Sequence, residues 1–241
     1  MGILKLRGIV LKETADSSSG KRITVLSKGA GKFTLLAKGS KTPKSKFMSA
    51  AQMFSYSDFV VFEGKGFLSV TQADIIESFY FLRENIESLY AASYFCELVD
   101  KTTPPGMEAD ESMRLLLKSF QEFSKPSPKV LFIYTVFRLK YLCILGLMPD
   151  FENLKNRDSE IYFDEKSGFL FGGEIGGEKI SRPALAALSH IFASDIKTVY
   201  SFNVSCEILF ELEKISCILY LIHIGENTKS EGFLRELLGL A

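Results

Sequence analysis

The 241 residues predict an α+β chain: a five-stranded β-barrel over residues 1–80, then an α-helical domain over 81–241 that carries a small β-hairpin insertion. Three observations carry this prediction. Apolar residues alternate with period two up to about residue 79 and recur at three- and four-residue steps from Leu82 onward. Glycine turns divide the first part into strands, whereas proline and N-cap signals divide the second into helices. Charge is sorted along the same boundary. Residues 1–79 hold 12 Lys+Arg against 6 Asp+Glu and the remainder 17 against 23, although the whole chain balances at 29 against 29. A basic β-rich part joined to an acidic helical part implies two jobs, gripping a polyanion and meeting other proteins.

The strands follow in order. Ile3–Lys12 alternates, with Leu4, Leu6, Gly8 and Val10 on one face and Lys5, Arg7 and Ile9 on the other; Thr14–Gly20 is small, polar and a loop. Lys21–Lys28 and Lys32–Lys38 flank Gly29-Ala-Gly31, a tight hairpin turn because glycine adopts positive φ without a steric penalty. The stretch Ala37-Lys-Gly-Ser-Lys-Thr-Pro-Lys-Ser-Lys46 then packs four lysines into ten residues with no acid among them. Gln52–Glu63 and Phe67–Phe79 turn about Gly64-Lys-Gly66. Five short strands with a long polar loop between the third and fourth suit a small closed barrel of the oligonucleotide-binding (OB) type.

The helices come next. Leu82, Ile86, Leu89, Tyr90, Ser93, Tyr94, Glu97 and Leu98 make a mostly apolar stripe that Pro104-Pro105-Gly106 ends. Ser112–Phe123 and Lys129–Leu145 are two more helices, separated by Pro126 and Pro128. Residues 150–180 hold no helical period; Ile161–Phe171 reads as a hairpin turning near Ser167-Gly168. Ser181-Arg-Pro183 is an N-cap with proline in the first turn, opening a helix to about Phe192. Val204–Ile224 and Ser230–Leu238 complete the set.

Period-two spacing puts Arg22, Thr24 and Lys28 on one strand face and Lys32, Thr34 and Lys38 on its neighbour's, continuous with Lys41, Lys44 and Lys46. Several cations tracking one backbone are what nucleic-acid phosphates require, and Phe33, Phe47 and Tyr56 are available as stacking platforms. Arg138 and Lys140 interrupt an apolar helix, as basic residues do when they rim a groove for an acidic peptide ending in hydrophobic residues.

Catalytic signals are absent. Gly172–Gly177 is glycine-rich but lies in no strand–helix unit and no Gly-Lys-Ser/Thr follows, so it is a turn, not a phosphate loop. His190 and His223 sit on apolar helices without a nucleophile partner. Cys96, Cys143, Cys206 and Cys217 are isolated in helical contexts, the usage of buried free thiols in a reducing compartment, so no metal or other cofactor is expected. No apolar run reaches the length of a membrane span and no secretory signal opens the chain. An RNA-binding OB protein and a non-enzymatic protein-interaction scaffold fit the same residues.

The chain also resembles the bacterial RecO family, the recombination mediators of DNA repair. The resemblance rests on Gly8-Ile-Val-Leu-Lys12, on Gly31–Lys41 with Lys44-Ser45, on Leu68–Phe79, on Ala91–Leu98, on Phe137–Gly146, and on His223 with Lys229–Leu234. It implies an OB barrel followed by a helical domain, without catalytic turnover. It also implies a DNA-binding surface at Lys21, Arg22, Lys28, Lys32, Lys38, Lys41, Lys44 and Lys46. Implied partners are single- and double-stranded DNA, RecR, the acidic C-terminal tail of the single-strand-binding protein (here assigned to Arg138 and Lys140) and, indirectly, the RecA recombinase. The implied location is cytoplasmic, at the nucleoid. One departure stands out: many members carry a four-cysteine zinc module where this chain's residues 150–180 have no cysteine, so the insertion is expected to be metal-free.

Overall fold

A computed structural model describes residues 2–16, 20–40, 47–126, 129–148, 161–164, 168–171, 178–225 and 228–240. Strands β1 (Ile3–Ala15), β2 (Lys21–Ser27), β3 (Gly31–Ala37), β4 (Tyr56–Gly64) and β5 (Phe67–Glu77) close into a barrel in the order β1-β2-β3-β5-β4. All neighbours run antiparallel except β3 and β5, which pair in parallel through Leu36 and Ser69. This is the five-stranded arrangement the periodicity predicts. The inward phase is filled by Leu6, Val10, Ile23, Val25, Leu35, Phe59, Val61 and Val70. Ala50 and Ala51 from the β3–β4 connection complete that core.

Two strand boundaries differ from the sequence reading by three or more residues. The fourth strand starts at Tyr56 rather than Gln52, because residues 52–55 wind into turns in which Ser55 N donates to Gln52 O (3.2 Å). Phe54 takes a φ of +75° there, tolerated because its buried ring packs edge-on against Phe120 at 5.5 Å. The first strand runs on to Ala15 through a bulge: Val10 pairs with Val25 but Lys12 pairs with Thr24, leaving Leu11 as the extra residue. A bulge resets the alternation, with consequences for Lys12 below.

The helices are α1 (Ile86–Thr102), α2 (Asp110–Glu122), α3 (Val130–Ile144), α4 (Arg182–Ala193), α5 (Cys206–His223) and α6 (Lys229–Leu237), with a short 3-10 turn at Tyr80–Arg83 before α1. Helix α1 begins after Leu82 because the Asn85 side chain accepts from Ser88 N (2.9 Å) and caps it. The N-cap expected at Ser181 is present, its Oγ accepting from Ala184 N (3.2 Å), and Pro183 lies in the first turn. The expected hairpin is β6 (Ile161–Asp164) with β7 (Gly168–Phe171); a short β8 (Glu178–Lys179) adds to the other edge of β6.

Two compact units result, Met1–Ser124 with Thr228–Ala241, and Lys125–Asn227. In the first, α6 packs on α1 and α2 packs on β2. Phe120 is the aromatic hinge of this unit, edge-on to both Phe54 and Phe79. Two carboxylates clamp the β2–β3 turn: Asp110 Oδ1 accepts from Gly29 N (2.7 Å) and Asp100 Oδ1 pairs with Lys32 Nζ (2.9 Å). In the second unit α3, α4 and α5 pack together, and α3 is buried almost all round. Of the four free thiols, Cys96 is buried while Cys206 is exposed at the start of α5, so the expectation of four buried thiols is corrected there.

Candidate nucleic-acid interface

The outward face of β1, β2 and β3 is built from two cross-strand rows. Lys12 lies opposite Thr24, which lies opposite Thr34; the next row runs Thr14, Arg22, Leu36 and on to Ser69 of β5. Directly paired residues point to one side of a sheet, so these side chains share one surface. Lys12, Thr14, Arg22, Thr34 and Lys38 are exposed, and among the described residues Lys12 and Lys38 belong to no ion pair. Arg22 is 57% exposed and lies 3.7 Å from Asp16 at the edge of the face. The cations are separated by small hydroxyl side chains, which leave room for a ribose-phosphate chain and supply donors to it.

The sequence-predicted cations divide sharply. Arg22 and Lys38 are on this face. Lys21 has the opposite phase, beside Ala15 and Ala37, and its Nζ is held by Glu13 (2.6 Å). Lys28 is exposed but lies beyond the far end of β2, separated from Arg22 by Leu26, an outward-facing residue that is wholly buried. Lys32 shares Leu26's row and is spent on Asp100, with 14% of its side chain exposed. Helices covering half of the β2–β3 hairpin are the physical reason. Lys41, Lys44 and Lys46 lie outside the described residues.

Lys12 is a residue that alternation conceals. Counting by twos from Leu4 would place it with Val10 on the core side, and the bulge at Leu11 turns it outward. A lysine falling on an apolar phase is itself the signal for such a bulge. The aromatic assignments change too. Phe33 and Phe47 pack against the barrel core, and Tyr56 is half-buried, with its phenol pushed up chiefly by burial. Two exposed rings flank this side: Phe62, 37% exposed and opposite Ser69, and Phe67, 40% exposed, with Lys38 Nζ 5.5 Å from its centroid.

The opposite side of the barrel has a different character. Arg7, Asp58 and Asp74 form one outward row across β1, β4 and β5. Arg7 donates to both Asp58 oxygens (2.7 and 2.8 Å), and that bidentate pair holds the carboxyl below its ordinary range. Arg7 is therefore neutralised in place, while Lys5 in the same phase stays exposed.

Arg138 and Lys140 are corrected by burial. The Arg138 guanidinium is wholly buried between the rings of Tyr134 and Tyr220 (5.0 and 4.7 Å to the centroids) and donates to the Tyr134 hydroxyl. Lys140, 8% exposed, donates to the carbonyls of Ile191 (3.1 Å), Phe192 (3.1 Å) and Ser194 (2.7 Å), capping the end of α4. Neither rims a groove: a helix apolar on every side is buried on every side, and its cations must find partners inside. In the same unit a cavity of about 260 Å³ does combine an apolar floor (Phe163, Ile180, Phe210, Ile215) with Lys179 and Lys214, alongside Glu211, which accepts from Ser181.

Among the described residues no group of three His, Cys, Asp or Glu is placed to hold a metal, and no helix is long and apolar enough to cross a membrane. Burial pushes the Cys96 thiol well up and that of Cys143 up to about 12, leaving both as poor nucleophiles. Most of the 150–180 insertion lies outside the described residues.

Comparison with known proteins matches the chain to two family models. Residues 1–79 match the model of the Recombination protein O N-terminal family, and residues 83–232 match that of the Recombination protein O C-terminal family. The chain is 35% identical to the DNA repair protein RecO of Acetivibrio thermocellus, over 98% of each chain. It is 26% identical to the DNA repair protein RecO of Symbiobacterium thermophilum over 97% of each, and 28% identical to that of Clostridium novyi over 89% of this chain and 87% of the other.

Proposed function

The chain belongs to the RecO family of DNA repair proteins, and from that premise we propose that it is a non-enzymatic mediator whose barrel holds DNA while its helices hold other proteins. The observation that carries this reading is the pairing of the barrel's cations. Arg7, Lys21 and Lys32 are each matched by a carboxylate within 2.9 Å, whereas Lys12 and Lys38, with Arg22 at 3.7 Å from Asp16, gather on one open face. Three cations gathered on one face of an OB barrel, against a far side where Arg7 is paired and Asp58 and Asp74 offset Lys5, favour a phosphodiester ligand. Lys41, Lys44 and Lys46, directly after Lys38 in sequence, extend the supply of ammonium groups.

Phosphate contacts carry no base sequence, so both single and double strands bind, and two complementary strands held at such faces anneal. The proposed domains are residues 1–80 for nucleic acid and 81–241 for proteins, with 150–180 a metal-free counterpart of a zinc module. The proposed protein partners are RecR and the acidic tail of the single-strand-binding protein, through which RecA is loaded on coated single strands in the cytoplasm. For the tail, the 260 Å³ cavity with Lys179 and Lys214 beside apolar side chains replaces Arg138 and Lys140 as the proposed seat.

Annealing of complementary strands coated with single-strand-binding protein tests the reading. The chain is expected to accelerate annealing and to bind both strand types at low salt. No binding to DNA at low salt would leave the scaffold alternative, and preferential displacement of DNA by RNA of the same sequence would point to RNA handling.

A further inference from the structure

The open face of the barrel ends on an aromatic ring that phosphate binding does not explain. We propose that Phe67 is a stacking platform for an unpaired base, a subsite that biases the barrel toward single strands; this rests on the reading of that face as a DNA surface. Phe67 opens β5 directly after the Gly64-Lys65-Gly66 turn. Its neighbour Leu68 packs against the barrel core, so Phe67 has the outward phase, the phase of Leu36 and Ser69. The ring is held in place from beneath. Phe67 pairs with Gly64, and a Cβ on that glycine would sit 2.4 Å from the ring's Cζ and 2.7 Å from Cε1. Only a glycine lets the ring lie against the strand there. Lys38 Nζ, 5.5 Å from the centroid, marks the ring as already attractive to a flat or cationic group.

A nucleotide brings the two groups this corner matches. Its base slides onto the ring and its phosphate takes over the Lys38 ammonium, which loses a weak cation–π contact and gains a charge-assisted one. Duplex bases are already stacked inside the helix and cannot reach the ring. Phe67 therefore contributes to single-strand affinity alone, while Lys12, Arg22 and Lys38 serve both strand types.

The test is fluorescence anisotropy with a labelled oligothymidine and a labelled duplex, titrated against the full chain and its F67A, F67L and F67Y variants. F67A is expected to weaken single-strand binding roughly five- to hundred-fold, the range seen when a base-stacking aromatic is truncated. Duplex affinity and both salt slopes are expected to stay unchanged. F67L still covers Gly64 but offers no aromatic face, so it should behave as F67A does; F67Y should retain the wild-type ratio of the two affinities. Equal weakening for both strand types, or a full retention of single-strand affinity in F67L, would overturn the subsite while leaving the DNA surface standing. Wild-type protein that binds neither strand type would overturn both together.

Discussion

Lys12→Ala and Lys32→Ala should have opposite consequences, although the sequence ranks Lys32 as the DNA contact and passes over Lys12. Lys32 Nζ pairs with Asp100 Oδ1 at 2.9 Å and also donates to the Asp100 carbonyl at 2.5 Å, with 14% of the lysine side chain and 26% of the aspartate exposed. A hydrogen bond to a charged group contributes about 1.5–3 kcal/mol, and truncating the lysine also strands a partly covered carboxylate. For a chain of this size each 1 kcal/mol moves the melting midpoint by about 2–4 °C, so a loss of about 2 kcal/mol lowers it by roughly 4–8 °C. Exposed Lys12 has no such partner, and its removal should stay within about 0.5 kcal/mol. On DNA the order reverses. Each lost phosphate contact flattens the plot of log affinity against log salt by about 0.7 for single strands, so K12A should show that change and K32A should not. Thermal melts and anisotropy titrations at four or five salt concentrations read both quantities. D100N should reproduce the melting loss of K32A while keeping the lysine. The reasoning is refuted if K32A flattens the slope as K12A does and melts like the wild type.

Three further outcomes follow from particular contacts. K140A removes the donor to three carbonyls at the end of α4 and should destabilise the chain by about 2–4 kcal/mol in urea melts, with no change in affinity for an acidic, hydrophobic-ended peptide; a selective loss of peptide binding would return Lys140 to the partner surface. G31A should destabilise by at least about 2 kcal/mol in the same assay, since φ is +79° and the new methyl would meet Met107 O at 2.4 Å; a wild-type melt would mean that the 106–107 segment does not press on this turn. D58N tests a pH dependence. Arg7 holds the Asp58 carboxyl below its unfolded value, so the pair's stabilisation is present above that value and fades as pH falls through the lowered one. The gap between wild type and D58N should therefore be open at pH 7 and narrow as pH falls through the lowered Asp58 value; a gap that widens in acid would contradict the sign.

The fold was legible because each of its elements has a local cause: the two glycine turns, the switch of period near residue 80, the serine and proline that open α4. The site was legible only in part. Sequence shows which residues are charged, whereas the structure decides which of those charges are spent within the molecule. Lys32 lies 68 positions from Asp100, and nothing near it in sequence warns that α1 will end there. Lys21 and Arg22 are adjacent and look equivalent, but one residue of strand phase sends them to opposite faces. Lys12 was hidden by a one-residue bulge, and Phe67 by the general rule that a strand phenylalanine is core. Arg138 and Lys140 were misread because a cation in an apolar helix suggests a surface edge, while the packing of α3 against α4 and α5 leaves it no edge.

Lysine acetylation footprinting with and without a single-stranded oligonucleotide addresses the open face most directly. The account predicts that Lys12 and Lys38 react in the free protein and are protected on binding. Lys5, exposed in the phase shared with Arg7, should react equally in both states, and the paired Lys32 should react weakly in both. Protection of Lys5 with Lys12 and Lys38 unchanged would place the DNA on the other side of the barrel and contradict the account.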